Sequence, residues 1–123
     1  MTASGRAVLQ FITIEESALE EYRRNPDFIQ RYIFPGGMLP TLTRFRASVE
    51  HSGLRTVCVD LFGEDYARTL SEWHRRFSKA EREVGRTGFD ERFRRMWKYY
   101  LSYCEAGFRS GRIDLAQVLP VNE

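Results

Sequence analysis

The sequence predicts an α/β fold, and three observations carry that prediction. Runs rich in β-branched and aromatic residues at 7–14, 54–62 and 113–121 read as strands. Two long stretches, about 65–84 and 90–108, repeat apolar residues at helical spacing. The resulting order of strand, helices, strand, long helices, strand is that of a layered α/β domain. A chain of 123 residues holds one core and is short for a complete doubly wound enzyme, so residues 1–123 are expected to form one domain.

Each element has a local reason. Ala7-Val8-Leu9-Gln10-Phe11-Ile12-Thr13-Ile14 lacks clean alternation, which suits a strand covered on both faces. Glu15 and Glu16 then open a short helix through Tyr22, with charges favourable at its N-terminus, and Asn25-Pro26 stops it. Phe28, Ile29, Tyr32 and Ile33 recur at helical spacing and run into Pro35-Gly36-Gly37, with Pro40 just beyond. Proline fixes φ and glycine opens angles closed to other residues, so the chain leaves Phe34 in one determined direction. The residues alone leave two readings of this elbow: a helix-ending turn over the core, or a device that presents apolar side chains.

After Pro40, Thr41 is placed to cap a helix carrying Leu42, Phe45 and Val49, which Gly53 ends. Residues 54–62 alternate, with Val57, Val59 and Leu61 on one face. Gly63 leads into one long helix, about 65–84, whose Leu70, Trp73, His74, Phe77 and Val84 form an apolar stripe. Gly85 to Gly88 separates it from a second, more aromatic helix. There Trp97, Tyr100, Leu101, Cys104 and Phe108 line one side, and Trp73, Phe93, Trp97 and Tyr100 are expected in the core. Residues 113–121 alternate once more, and Pro120 fits an edge or the end of a strand.

Composition excludes several functions. Hydrophobic residues at 42% and charged residues at 29% describe an ordinary folded protein. A net charge of +2 argues against nucleic acid as a partner, although lysine occurs only at Lys79 and Lys98 and arginine carries the rest. Cys58 and Cys104 have no nearby ligand spacing, and His51 and His74 have no partners, so no metal site is expected. The apolar run after residues 1–6 is too short to span a membrane and has no cleavage pattern. A cytoplasmic protein is expected, with any membrane contact peripheral to the inner face.

Four ordered segments carry a family resemblance. They are Tyr32-Ile33-Phe34-Pro35-Gly36-Gly37-Met38-Leu39-Pro40, the run from Gly63-Glu64-Asp65-Tyr66 to Trp73, the run from Arg94 to Phe108, and Ile113-Asp114-Leu115-Ala116-Gln117-Val118. Together they resemble the C-terminal part of the cyclopropane fatty acid synthase and mycolic acid methyltransferase family, which are class I S-adenosylmethionine-dependent methyltransferases. The resemblance implies that the three strands close a Rossmann-like sheet, with the last one antiparallel and inserted between its predecessors. It implies that Tyr66 is catalytic and helps hold a bicarbonate ion, the base that removes a proton after methyl transfer to an alkene. A phenol suits this role because it donates to an anion without adding charge. Ile14 falls where the family makes a backbone contact to that ion, whereas Ile12 stands where the best-known members carry a histidine.

The same resemblance implies that Tyr32, Ile33, Phe34, Met38 and Leu39 border the channel for the acyl chain. Such walls suit a lipid tail, since each buried methylene contributes about 0.8 kcal/mol. S-adenosylmethionine, the cofactor of the complete family enzyme, needs a glycine-rich turn after one strand and an acidic residue after the next, and neither pattern occurs in this sequence. The expectation is therefore the acceptor-side portion of a methyltransferase acting on an unsaturated fatty acyl or phospholipid substrate. It would bind neither the methyl donor nor turn over alone. A partner chain carrying the N-terminal half would complete the site, and the sheet edge that the missing half leaves open makes a homo-oligomer a separate expectation. The competing expectation is a non-catalytic module that binds lipid or a partner through the elbow.

Overall fold

The computed structural model describes residues 5–122, so the expectation for residues 1–4 lies outside the described residues. Three strands form one sheet in the order β1-β3-β2. β1 (Leu9–Ile14) pairs antiparallel with β3 (Ile113–Asn122), from Leu9 opposite Val118 to Ile14 opposite Ile113. β2 (Leu54–Leu61) pairs antiparallel on the other side of β3, from Leu54 opposite Asn122 to Leu61 opposite Ala116. The last strand therefore runs reversed between two mutually parallel ones, and Ala116, Val118 and Pro120 on it are buried.

The alternation expected of β2 is corrected by a slip in register between Thr56 and Cys58. Val57 becomes the extra residue and is exposed, off the face that Val59 occupies, and Leu61 is exposed as well. The slip faces Pro120 and Leu119 on β3. Pro120 brings no N–H to the ladder, so regular pairing fails at that point, and the hydroxyl of Thr56 opposite it is buried without a hydrogen-bond partner. Pro120 is thus tolerated near the end of the central strand. β1 is covered on both faces only toward its end: Leu9 and Gln10 are exposed, Thr13 and Ile14 buried.

The described residues divide into two compact units, one comprising those up to Gly63 and from Gly111 onward, the other Glu64–Ser110. In the first, a 3-10 turn (Glu16–Ala18) leads into α1 (Leu19–Arg24). Ile14, Ala18 and Tyr22 form a buried cluster against which Leu19, Leu39 and Ile113 pack. The five-residue α2 (Phe28–Tyr32) precedes the elbow. α3 (Leu42–His51) starts at Thr41, whose buried hydroxyl accepts from the Arg44 amide at 3.3 Å. Gly53 follows with φ +71°, a conformation that L side chains rarely adopt. α3 lies on the sheet, and Phe45 stacks at 4.1 Å on Phe11 of β1.

The second unit is helical: α4 (Gly63–Lys79), α5 (Glu81–Arg86) and α6 (Glu91–Arg109). The single helix expected over 65–84 is broken at Ala80, although no residue there is a helix breaker. The break coincides with a long-range ion pair, Glu81 with Lys98 of α6 at 3.0 Å. Contacts from Tyr66 to Phe108, His74 to Ser102 and Glu81 to Lys98 run α4–α5 antiparallel to α6. Ala67, Leu70, Leu101, Cys104 and Phe108 are its buried side chains. No helix among the described residues is long and apolar enough to cross a membrane.

Candidate functional site

The elbow is held by side chains that tie down main chain. The Asp27 carboxylate accepts from the Gln30 amide at 2.9 Å, and Gln30 Oε1 accepts from the Asp27 amide at 3.0 Å, a reciprocal cap. Gln30 then reaches forward, its Nε2 donating to the Gly37 carbonyl at 3.0 Å. Phe34 N–H donates to Ile29 at 2.8 Å, and Gly37 N–H to Phe34 at 2.9 Å. Gly36 has φ +81°, and a Cβ on Gly37 would meet the Phe34 carbonyl at 3.0 Å, so both glycines are required by the turn. Beyond it, the Leu39 amide donates to the Tyr22 hydroxyl at 3.3 Å, and burial raises the pKa of that phenol.

With the backbone fixed, the five elbow residues separate. Ile33 is half-buried, and Leu39 packs on the cluster that contains Ile14. Tyr32, Phe34 and Met38 are 59%, 59% and 53% exposed. Three large apolar side chains are thus exposed on a hydrogen-bonded frame. The Ile14 amide is engaged, donating to the Pro40 carbonyl at 3.0 Å. Ile12 is half-buried and offers no polar side chain.

Tyr66 lies in the helical unit, in the first turns of α4. Its ring meets Phe108 edge-on at 5.0 Å and 79°, and Trp73 edge-on at 6.1 Å and 78°. Its hydroxyl has no hydrogen-bond partner among the described residues. Trp73, expected in the core, is instead 46% exposed beside Tyr66. The helical period explains this: Trp73 sits at the outer edge of the apolar stripe, farther round the helix from the buried Ala67 than Tyr66, Phe77 or Leu70. Tyr100, also expected only as core, sits close enough to Tyr66 to feel its charge. Burial first, and then the neighbouring Cys104 and Tyr66, push its pKa up to about 12. The spacing Tyr100, Cys104, Phe108 on one helix face was the available signal, since Phe108 is the ring that holds Tyr66.

Glu64 and Asp65 belong to the start of α4, where carboxylates are favourable, and Asp65 pairs with Arg68 at 3.7 Å. Cys58 is an exposed free thiol and Cys104 a buried one. No three His, Cys, Asp or Glu side chains among the described residues are grouped to hold a metal ion. For S-adenosylmethionine the relevant feature is a strand-to-helix turn where main chain can approach the cofactor. Gly63 is the glycine at such a junction in the described strands; it is buried and followed by Glu64 and Asp65. That turn does not fit the cofactor, and no chemistry through it is assigned to these residues.

A last strand inserted antiparallel between two parallel neighbours, with long helices in the connections, defines the closing part of a class I methyltransferase sheet. Solved structures agree: mycolic acid cyclopropane synthase CmaA1 in complex with SAH and CTAB superimposes with a TM-score of 0.86 at 24% identity, over 98% of this chain and 45% of that one. The cyclopropane synthase MmaA2 from Mycobacterium tuberculosis gives 0.84 at 23% identity, over 98% and 45%. The sequence profile of the mycolic acid cyclopropane synthetase family matches residues 1–118, and the chain belongs to that family. It is 41% identical to tuberculostearic acid methyltransferase UfaA1 of Mycobacterium tuberculosis over 97% of its own length and 28% of the relative's. It is 39% identical to the cyclopropane-fatty-acyl-phospholipid synthase of Escherichia coli, over 75% of this chain and 24% of that protein. The chain thus spans about a quarter of the length of these curated relatives.

Proposed function

We propose that this chain is the acceptor-side part of a cyclopropane fatty acid synthase-like methyltransferase, acting on an unsaturated acyl chain of a phospholipid. The observation that carries this reading is Tyr66: two aromatic edges fix its ring while its hydroxyl is left unengaged. In this role Tyr66 donates its hydroxyl hydrogen to a bicarbonate ion, and the ion when bound supplies the base for proton removal. At Ile14 an anion has to compete with the Pro40 carbonyl for the main-chain amide, so Tyr66 is the better-prepared of the two contacts. Tyr32, Phe34 and Met38 face the acyl chain, while Ile33 and Leu39 support them from behind. The methyl donor is held by residues other than these, on a partner chain or in the remainder of a longer polypeptide. The setting is the cytoplasmic side of a membrane, with peripheral contact.

The test joins this chain to the donor-side half of a family relative and measures methyl transfer into unsaturated phospholipid. Tyr66→Phe keeps both ring contacts and removes only the donor, so turnover is expected to fall by about 100-fold or more with stability unchanged. Full activity in that variant removes Tyr66 from the mechanism. Rapid turnover by the unassisted chain overturns the division of labour. The exposed elbow favours one other reading, a non-catalytic lipid-binding module. That reading predicts saturable fatty-acid binding indifferent to Tyr66→Phe, with no activity gained from a donor half.

A further inference from the structure

The end of the elbow is tied to three elements in succession. The Gly37 carbonyl accepts from Gln30 of α2 at 3.0 Å. The Leu39 amide donates to the Tyr22 hydroxyl of α1 at 3.3 Å, and the Pro40 carbonyl accepts from the Ile14 amide of β1 at 3.0 Å. That last tie occupies the very N–H that the reading above offers to an anion. A main-chain N–H is a single donor, so the Pro40 carbonyl and an anion are alternatives there. Which of the two holds it depends on which partner can move.

Ile14 is pinned. Its side chain is 4% exposed in the cluster with Ala18 and Tyr22, it lies opposite Ile113 in the ladder, and the next amide, that of Glu15, donates to the Arg112 carbonyl at 2.9 Å. Pro40 has no N–H, so its carbonyl is its only main-chain hydrogen-bonding group and its place follows from its neighbours. On one side stands Thr41, fully buried, its hydroxyl accepting from the Arg44 amide at the start of α3. On the other stands Leu39, whose amide rests on Tyr22. Tyr22 is 8% exposed and belongs to the same cluster as Ile14, against which Leu39 also packs. One buried phenol therefore touches both sides of the Ile14–Pro40 bond: the cluster that fixes the donor, and the residue that carries the acceptor.

We propose that Tyr22 is a positioning residue for the anion contact: through Leu39 its hydroxyl holds the Pro40 carbonyl on the Ile14 amide, and displacement of that segment is what opens the amide. This rests on the role given to Ile14 above and adds the control of that contact. In the exchange the Ile14 N–H leaves the Pro40 carbonyl and donates to an anion oxygen, while the half-buried Pro40 carbonyl is taken up by water. The elbow and the anion are thereby coupled. Whatever draws Leu39 off the Tyr22 hydroxyl makes the Ile14 amide available, and an anion on that amide weakens the hold on the elbow in return.

The test follows the Ile14 amide of the intact, isotope-labelled chain by nuclear magnetic resonance, with the buried Ala116 of the central strand as the reference for opening of the whole sheet. In Tyr22→Phe, which keeps the ring, hydrogen exchange at Ile14 relative to Ala116 is expected to quicken about fivefold, the weight of one neutral hydrogen bond. Sodium bicarbonate, titrated against sodium chloride at equal ionic strength, is expected to shift the Ile14 amide saturably, at about fivefold lower concentration in the variant than in the native chain. A residue that merely supports the fold gives no such gain in affinity. Gln30→Ala cuts the tie on the other side of Met38 and is expected to leave both measurements at Ile14 unchanged. Should Tyr22→Phe loosen the whole sheet, Ala116 quickens as well and the ratio of the two amides still decides. An unchanged ratio, weaker bicarbonate binding in Tyr22→Phe, or equal effects of the two variants overturns the proposal and leaves the role of Ile14 standing. Quickened exchange with no bicarbonate shift at Ile14 in either form overturns that role, and the proposal with it.

Discussion

The elbow in the sheet unit and Tyr66 in the helical unit are held in place by different physics. The elbow is fixed by short-range polar ties, from Asp27 to Gln30, Gln30 to Gly37 and Tyr22 to Leu39. On that frame Tyr32, Phe34 and Met38 are exposed. Tyr66 is the converse case. Aromatic edges from Phe108 and Trp73 hold the ring, and the polar atom is left over. Polar ties thus leave apolar surface exposed in the first region, and aromatic edges leave a hydrogen-bond donor in the second. Removing a holding residue should therefore damage one region and spare the other.

The largest effect is expected from Phe108→Ala. Phe108 is 4% exposed and supplies the nearer of the two edges on Tyr66. Truncating a buried phenylalanine costs about 3–5 kcal/mol, a large share of a small domain's stability. Urea unfolding followed by circular dichroism measures it. A loss below about 1 kcal/mol would mean that the site collapses around the gap, and the aromatic clamp would not be what positions Tyr66.

Gln30→Ala comes next, at about 1–2 kcal/mol, because the reciprocal half of the α2 capping box and the tie to Gly37 are lost together, while the Asp27 cap on the residue-30 amide stays. Its sharper signature is local. Amide hydrogen exchange across residues 28–39 should quicken, while α4 and α6 keep their protection. Uniform quickening across both units would show that Gln30 supports global stability and not the elbow in particular.

What could be read without coordinates was what neighbouring residues decide. The strand pattern, the Thr41 cap, the Asn25-Pro26 stop and the long aromatic helix all follow from local spacing and cap chemistry. The reversed middle strand was implied by family resemblance and not by any periodicity. Features set by distant partners were not legible. The slip at Val57 depends on Pro120 across the ladder, and the break at Ala80 accompanies Glu81 reaching Lys98 of another helix. Trp73 has a core-like composition, yet its exposure depends on which side of α4 the buried residues occupy. Gln30 gave only half its role away: the capping box is a local pattern, but the bond to Gly37 exists only once the elbow has turned. The candidate site residues came as a set from the family resemblance. Their division into outward and supporting members needed burial, which single-sequence patterns do not supply.

The smallest expected effect concerns Tyr100, and it tests whether the interior next to Tyr66 is as dry as the clamp requires. Burial pushes its pKa from the ordinary 10.0 up to about 12. Below pH 10 the phenol is neutral in both folded and unfolded chains, so it adds nothing to the pH dependence of stability. Between pH 10 and 12 the unfolded chain has released the proton while the folded chain retains it. The folded state then binds more protons, and stability falls as pH rises through that window. Tyr100→Phe should flatten this alkaline decline and change neutral-pH stability by no more than about 1 kcal/mol, since the ring is kept. An ultraviolet titration reads the same point directly, with a late phenolate that disappears in the variant. A native titration identical to that of the variant's remaining tyrosines, with no late phenolate to lose, would mean that water reaches Tyr100, and with it the space beside Tyr66.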